Sequence, residues 1–322
     1  MTVQILTQAP EPGLAGALER FERGFTYPLG SGLSFSISHG QDYPRFFRAI
    51  ARDASASFVA ISGNGEVRGT LGVAVRPLQF PSGERRLAAY LGDLKTKPGA
   101  GRGLALFRLT AEATAWSMAR GAVAAYGVVM EGTPHAPSNY TGRFGMHAFH
   151  AIERLCILRI PVGASKRSED GAFDAELSSV EKCFRNLGSG SFAPLGGAPE
   201  LRSSHSPISL QSPDHSACGI IENTRLAKRL FREDGEEMLA AHLSKFAYKN
   251  PSAGMRLIRQ ALARCANAAL APALFVAIPE SDLNGFNELL EDNPGVVKAP
   301  ASIYGTQFAG ITGRWNISTS EI

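Results

Sequence analysis

Asp93 closes an apolar run, Leu87-Ala88-Ala89-Tyr90-Leu91-Gly92, and a glycine-rich stretch, Gly99-Ala100-Gly101-Arg102-Gly103-Leu104-Ala105, follows close behind it. Glycines at this spacing let the backbone turn tightly and point several N–H groups one way. Where such a turn opens a helix, the free N–H groups and the positive end of the helix dipole together bind phosphate. The same residue types also serve a plain strand-to-helix connection, and the turn alone does not choose between the two. Lys97 and Arg102 flank the turn, either to pair with phosphates or to remain solvated. Two familiar phosphate loops are excluded. A dinucleotide fold needs GxGxxG after its first strand and an acidic residue about twenty positions on, and a Walker A loop needs GxxxxGK before Ser or Thr. Neither spacing is present. No His/Cys/Asp/Glu group has metal-ligand spacing, and no serine sits in a GxSxG elbow.

The elements that position this stretch can be read on both sides of it. Val3-Gln4-Ile5-Leu6 alternates as a strand, and Leu14, Leu18, Phe21 and Phe25 share one helical face. Tyr27-Pro28-Leu29-Gly30-Ser31-Gly32 reads as a loop, and Asp42 opens a short helix with Pro44 in its first turn that buries Phe46, Phe47 and Ile50. Strands are predicted over 57–61, 66–78 and 84–95, turned by Gly63-Asn64-Gly65 and Pro81-Ser82-Gly83. Pro98 ends the last of these because it cannot donate to a ladder. A helix over 103–120 carries Leu106, Leu109, Ala113 and Trp116 on one face, with Gly121 just past its end. A strand over 123–130, a short helix over 138–143 and a strand over 147–161 complete the first half.

Composition bounds the class. The chain has 322 residues, 44% hydrophobic and 19% charged, which suits a soluble globular protein of about two domains. Its apolar stretches are too short to span a bilayer and its N-terminus lacks a signal peptide's regions, so a cytoplasmic place is expected and no membrane partner. Cys156, Cys183, Cys218 and Cys265 stand far apart with no CxxC pair and are expected to be buried free thiols. A net charge of +4, with no basic run among aromatics, predicts no nucleic-acid partner and leaves an anionic cofactor open.

The strand ending Asp93-Leu94-Lys95, the turn Ala100-Gly101-Arg102-Gly103-Leu104-Ala105 and the later Asn139-Tyr140-Thr141-Gly142-Arg143-Phe144-Gly145-Met146 together resemble the GNAT family of acyl-CoA-dependent N-acetyltransferases. In the family's loop, (Gln/Arg)-x-x-Gly-x-(Gly/Ala), Gly103 and Ala105 fit the last two fixed positions, and Ala100 stands where Gln or Arg is usual. The resemblance covers residues 1–163. It implies an α/β (α+β) fold with a mixed, mostly antiparallel sheet flanked by helices, and acetyl-CoA or coenzyme A as cofactor. It implies cofactor contacts from Leu94, Lys95, Thr96, Gly99, Ala100, Gly101, Arg102, Gly103, Leu104, Ala105 and Asn139. The central strand of the family splays from its neighbour, so a freed N–H near Leu94 or Lys95 would face the thioester oxygen.

Acyl transfer to an amine needs a held electrophile, a stabilised oxyanion and an amine stripped of its proton. Asp93 is the nearest carboxylate and the candidate base, directly or through water, although a strand-end aspartate also serves as a cap. Tyr140 is the candidate acid for the leaving thiolate; the family's tyrosine position falls on Thr141, beside it. His39, His135, His147 and His150 are alternative bases. The acceptor would be a small-molecule amine or a peptide, and the protein a monomer or homodimer. A non-catalytic acyl-CoA-binding or interaction protein of the same fold is the alternative.

The second half repeats the first. Leu239-Ala240-Ala241-His242-Leu243-Ser244-Lys245-Phe246 matches Leu87 to Leu94, and Pro251-Ser252-Ala253-Gly254 opens a helix carrying Leu257, Ile258, Ala261, Leu262 and Cys265. Leu177, Val180, Phe184 and Leu187 form an earlier helical face, Ala273-Leu274-Phe275-Val276-Ala277-Ile278 a later strand, and Asp282 the start of another helix. The order of elements suggests duplication, with domains at 1–163 and 164–322 around a linker over 161–170. The second copy keeps one glycine and has Lys245 where the first has Asp93. It is expected neither to hold a pyrophosphate nor to catalyse, and to pack on the first copy or shape the acceptor cleft.

Overall fold

The computed structural model describes residues 1–30, 32–99, 101–143, 146–163 and 173–322. Chain order is β1 (Thr2–Leu6), α1 (Pro12–Glu22), β2 (Tyr27–Gly30), β3 (Leu33–Ser38), α2 (Arg45–Ala51), β4 (Ser55–Ile61), β5 (Val67–Gln79), β6 (Arg85–Thr96), α3 (Arg102–Met118), β7 (Ala124–Met130) and β8 (His150–Pro161). Then come α4 (Leu177–Leu187), β9 (Ser191–Pro194), β10 (Ile208–Gln211), β11 (Ala217–Glu222), β12 (Arg229–Phe231), β13 (Ala241–Tyr248), α5 (Pro251–Asn267), β14 (Ala273–Pro279), α6 (Asn287–Glu291), β15 (Val297–Thr306) and β16 (Arg314–Trp315).

One twisted sheet runs β1-β4-β5-β6-β7-β15-β8-β14-β13-β11-β10. Along that path the neighbours are antiparallel except at two places, β6 with β7 and β13 with β14. A helix connects each parallel pair because parallel neighbours require a crossover. α3 buries Ala105, Leu109 and Ala113 against Ala56, Phe58, Val73 and Val75. α5 buries Leu257, Ile258, Ala261, Leu262 and Cys265 in the core of the second half. The helical stripes expected for both are therefore the packed faces, and Gly121 takes φ 81° just beyond α3.

The two crossover units correspond residue by residue. β6 pairs with β7 only from Ala88 to Tyr90, and β13 with β14 only at Ala241 and His242, the matched positions of the two sequence copies. Each central strand then bulges against its antiparallel neighbour, between Thr70 and Gly72 opposite β6 and between Cys218 and Ile220 opposite β13. At each bulge one non-glycine residue has positive φ, Asp93 at 58° and Lys245 at 45°. Such values are uncommon outside glycine. The same backbone feature therefore recurs at the matched positions of the two crossover units.

Two features differ from the sequence-based expectation. The stretch expected as a loop from Tyr27 forms β2, which pairs with β3; β3 in turn pairs with β12 from the second half, making a separate three-stranded sheet. The short helix expected over 138–143 is a single 3-10 turn, Pro137–Asn139. Residues 164–170 of the expected linker lie outside the described residues. β15, from the end of the chain, lies between β7 and β8, and β8 pairs with both β15 and β14. An aromatic cluster of Phe80, Phe192, Phe308, Tyr126 and Trp315 packs contributions of both halves together. All four cysteines are buried free thiols. Among the described residues no helix is long and apolar enough to cross a membrane.

Candidate functional site

β6 and β7 stay together only as far as Leu91 and Gly127. A side chain's first carbon at Gly127 would lie 2.6 Å from the Leu91 carbonyl oxygen, so only glycine permits this approach. Beyond it the strands part, and a cavity of about 260 Å³ opens between Leu91–Leu94 on one side and Gly127–Met130 on the other. Its floor continues over the main sheet to Ile157 and Phe275. Its roof is the small sheet, with Leu29, Phe35, Ile37 and Leu230. The second half thus supplies part of the wall, including Lys228, His242 and Thr319.

At the outer end of the opening stands the glycine turn. Lys97 N–H donates to the Arg68 carbonyl at 2.9 Å and Arg102 N–H to that of Gly99 at 3.3 Å, which fixes the turn's shape. Gly99 and Gly101 take φ 97° and 84°. Among the described residues no side chain caps α3, and its first turn has no acidic residue. A side chain's first carbon added at Gly99 or Gly103 would meet nothing within 4 Å among the described residues. An uncapped helix N-terminus facing open space is an anion site in physical terms. Lys97 is ion-paired with Glu66, and Arg102 Nε reaches Thr96 Oγ1 at 3.2 Å. Ala100 lies outside the described residues, as do Phe144 and Gly145 of the later motif.

The equivalent place in the second half is closed. Asn250 caps α5 with its own side chain, accepting from Ala253 N–H at 3.0 Å, and Ala253 and Gly254 are buried. The opening between β13 and β14 is filled by the chain's own segment 318–321. There Lys245 N–H donates to Ser318 Oγ at 3.0 Å, Thr319 Oγ1 donates to the Phe275 carbonyl at 3.3 Å, and His242 Nδ1 lies 3.0 Å from Thr319 Oγ1.

Asp93 does not face the cavity as a free carboxylate. One oxygen pairs with the Lys95 ammonium and the other accepts from the Tyr43 hydroxyl, and its side chain is 6% exposed. Lys95, on the buried face of β6, is also 2.9 Å from Glu22 Oε1 of α1. Burial opposes the Lys95 charge, but Asp93, Tyr43, Tyr27 and Glu22 around it outweigh burial and hold the ammonium well above its usual range. Glu22 completes the cluster. It accepts from the His39 backbone N–H at 3.0 Å and lies 2.7 Å from His39 Nδ1. Burial raises its pKa, yet His39 and Lys95 beside it prevail and hold the carboxyl at about 2. Glu22, His39 and Asp93 bring ligand atoms within 4.8 Å of one another, but the Lys95 ammonium already supplies the positive charge there.

Of the other named residues, Tyr140 and Thr141 line the same cavity as Asp93. Burial, with Tyr304 beside it, raises the Tyr140 hydroxyl to about 12, so it carries its proton at neutral pH. Asn139 is exposed in the 3-10 turn. His135 lines the cavity, while His147 and His150 are exposed. The sequence reading did not single out Glu22, Tyr43 or the roof strands. Glu22 at the end of a helix and Tyr43 in a loop have no local pattern that marks them; only the tertiary fold brings them to Asp93.

No family model matches the sequence, and no curated protein matches it. Solved structures do match the fold. Saccharomyces cerevisiae N-myristoyltransferase with bound myristoyl-CoA superposes with TM-score 0.60 at 8% identity, over 94% of this chain and 82% of that one. A second structure of that enzyme with myristoyl-CoA gives TM-score 0.57 at 9% identity, over 94% of this chain and 78% of that one. A GCN5-related N-acetyltransferase from Anabaena variabilis matches at TM-score 0.47 and 11% identity, over 81% of this chain and 64% of that one. The fold of this chain is of the GNAT type.

Proposed function

We propose that this protein is an acyl-CoA-dependent N-acyltransferase that moves an acetyl group from acetyl-CoA to the amine of a small molecule or peptide. One observation carries the reading. An uncapped, glycine-lined helix N-terminus leads directly into the gap between two parting parallel strands, and the gap opens on a cavity. Coenzyme A has matching parts: a pyrophosphate for the turn, a thin pantetheine arm for the gap and a thioester for the cavity. In this reading Gly99, Gly101, Arg102, Gly103 and Leu104 hold the pyrophosphate. Leu94, Lys95 and Thr96 run beside the arm, a freed N–H near Leu94 faces the thioester oxygen, and Asn139 stands at the arm's far side. Tyr140, protonated at neutral pH, gives its proton to the leaving thiolate.

A longer acyl group is a second reading, favoured by the apolar roof and floor of the cavity. The test therefore varies both substrates. Purified protein is incubated with acetyl-CoA or octanoyl-CoA and a panel of amines and short peptides, and thiol release is followed with the mass gain of each acceptor. One acyl group gained per acceptor supports transfer, and the preferred chain length chooses between donors. Binding of both donors without transfer to any amine would leave a cofactor-binding protein and overturn the enzyme.

A further inference from the structure

The transfer needs a group to take the acceptor's proton, and Asp93 is already tied at both oxygens. His39 is differently placed. It follows β3, lines the cavity, and is 5% exposed. Its Nδ1 is held by Glu22, and its Nε2 is buried with no hydrogen-bond partner among the described residues. Buried ring nitrogens are normally satisfied, so an unpaired one calls for a reason. The ring also packs against two aromatic neighbours, with the Tyr43 ring centroid at 4.7 Å and the Phe46 ring centroid, in an edge-on arrangement, at 5.6 Å. A carboxylate that fixes one imidazole nitrogen as N–H leaves the other with a bare lone pair and makes it more basic.

Resting on the acyltransferase reading above, we propose that His39, oriented by Glu22, is the base that takes the acceptor's ammonium proton on Nε2, directly or through one water. Glu22 is then a positioning residue, and Asp93, Lys95 and Tyr43 hold Glu22 in place. The balance is simple. The ammonium gives one proton to Nε2, and the amine's lone pair forms a C–N bond to the thioester carbon. The C–S bond breaks with its electrons on sulfur. The nitrogen's surplus proton passes through water to Tyr140 as Tyr140 gives its own to the thiolate, leaving an amide, a free thiol, a restored tyrosine and an imidazolium that returns its proton to water. The groups facing His39 are Glu22 from α1, Asp93 and Lys95 from β6 and Tyr43 from the loop before α2. Lys228, 4.5 Å over the Phe46 ring, lines the same cavity and adds a further titratable group.

The experiment has an arm that needs no acceptor. Long-range proton–nitrogen NMR of the full chain reads the His39 ring. A neutral ring with hydrogen on Nδ1 and none on Nε2 supports the assignment, and hydrogen on Nε2 overturns it. The second arm uses whichever donor and amine the panel yields. His39→Asn puts an amide nitrogen where Nδ1 stood, so the bond to Glu22 survives while the base is lost. Its kcat should fall about a hundredfold to ten-thousandfold with acyl-CoA affinity unchanged. An unchanged kcat overturns the proposal. Glu22→Gln should move the low-pH limb of kcat to lower pH, since the ring loses its carboxylate partner. A merely structural role would leave that limb in place, which also overturns it. If His39→Asn fails to fold, the Glu22→Gln limb decides. If the parent binds acyl-CoA yet acylates nothing, the transferase reading has failed, and the ring tautomer alone decides the state of His39.

Discussion

Lys95 sits 2% exposed among two carboxylates and two phenols, and its charge depends on these partners. A buried ion stripped of its partner costs about 3–5 kcal/mol. Asp93→Asn removes one of the two anions beside Lys95 while keeping a residue type that tolerates φ 58°. It should lower the unfolding free energy by about 3 kcal/mol in denaturant titration, with little change in CoA affinity. A stability equal to the parent's would mean that Lys95 does not need Asp93. The pH dependence follows from Glu22, whose carboxyl is depressed from the ordinary 4.5 to about 2 in the folded chain. A depressed carboxylate contributes stability that is present above its unfolded pKa and is lost as pH falls through the folded one. Stability should therefore decline from about pH 5 toward pH 2 by up to about 3 kcal/mol from this group. Glu22→Gln should flatten that part of the curve, and an unaltered acid slope would assign it elsewhere.

The two crossover units test how much a single loop decides. β6-α3-β7 and β13-α5-β14 share bulge, parallel register and helix, but only α3 begins uncapped. Gly103→Asp is informative because no neighbour obstructs a side chain there. A carboxylate in the first turn suits the helix dipole, so thermal stability should hold or rise slightly. The same charge lies where the pyrophosphate is placed, and calorimetry should show CoA affinity lowered at least tenfold, a loss of about 1.4 kcal/mol. Equal affinity in this variant would move the phosphates away from α3. Gly127→Ala probes the crotch itself, where a methyl meets Leu91 at 2.6 Å. Forcing the strands apart should cost about 1–3 kcal/mol of stability.

At the scale of the whole molecule the halves hold each other. β15 completes the sheet between β7 and β8, β8 leads into β14, and β12 completes the roof over the cavity. Glu321 reaches Arg76 and Arg202, both fully buried, at 2.5 and 3.3 Å. Residues 1–163 and 164–322 expressed apart should each be insoluble or lack cooperative unfolding, while co-expression restores a soluble complex. Two separately folded pieces, judged by circular dichroism and sharp melting, would contradict this. Segment 318–321 fills the second opening, so titration of the full chain should give one CoA site per chain. Two equivalent sites would show that the filled opening can be vacated.

What could be read from the sequence was what local rules govern. Helical spacing placed α1, α3, α4 and α5, alternation and turn residues placed β4, β5 and β6, and the glycines marked the start of α3. These signals need only a few neighbouring residues. The match of Leu87-Ala88-Ala89-Tyr90 to Leu239-Ala240-Ala241-His242 likewise pointed to the repeated unit before its bulges were visible. Pairings between distant segments have no such signal. Nothing near Val297–Thr306 says that this strand enters between β7 and β8, and nothing near Tyr27–Gly30 says that the hairpin finds β12. His39 could be named from its type alone as an alternative base. That Glu22, seventeen residues earlier, holds its Nδ1 and that Asp93 is held by Lys95 and Tyr43 were decided by the tertiary fold. The chemistry of a buried polar group depends on which partners the packing brings to it, and those partners come from α1, β6 and a loop that share no sequence pattern.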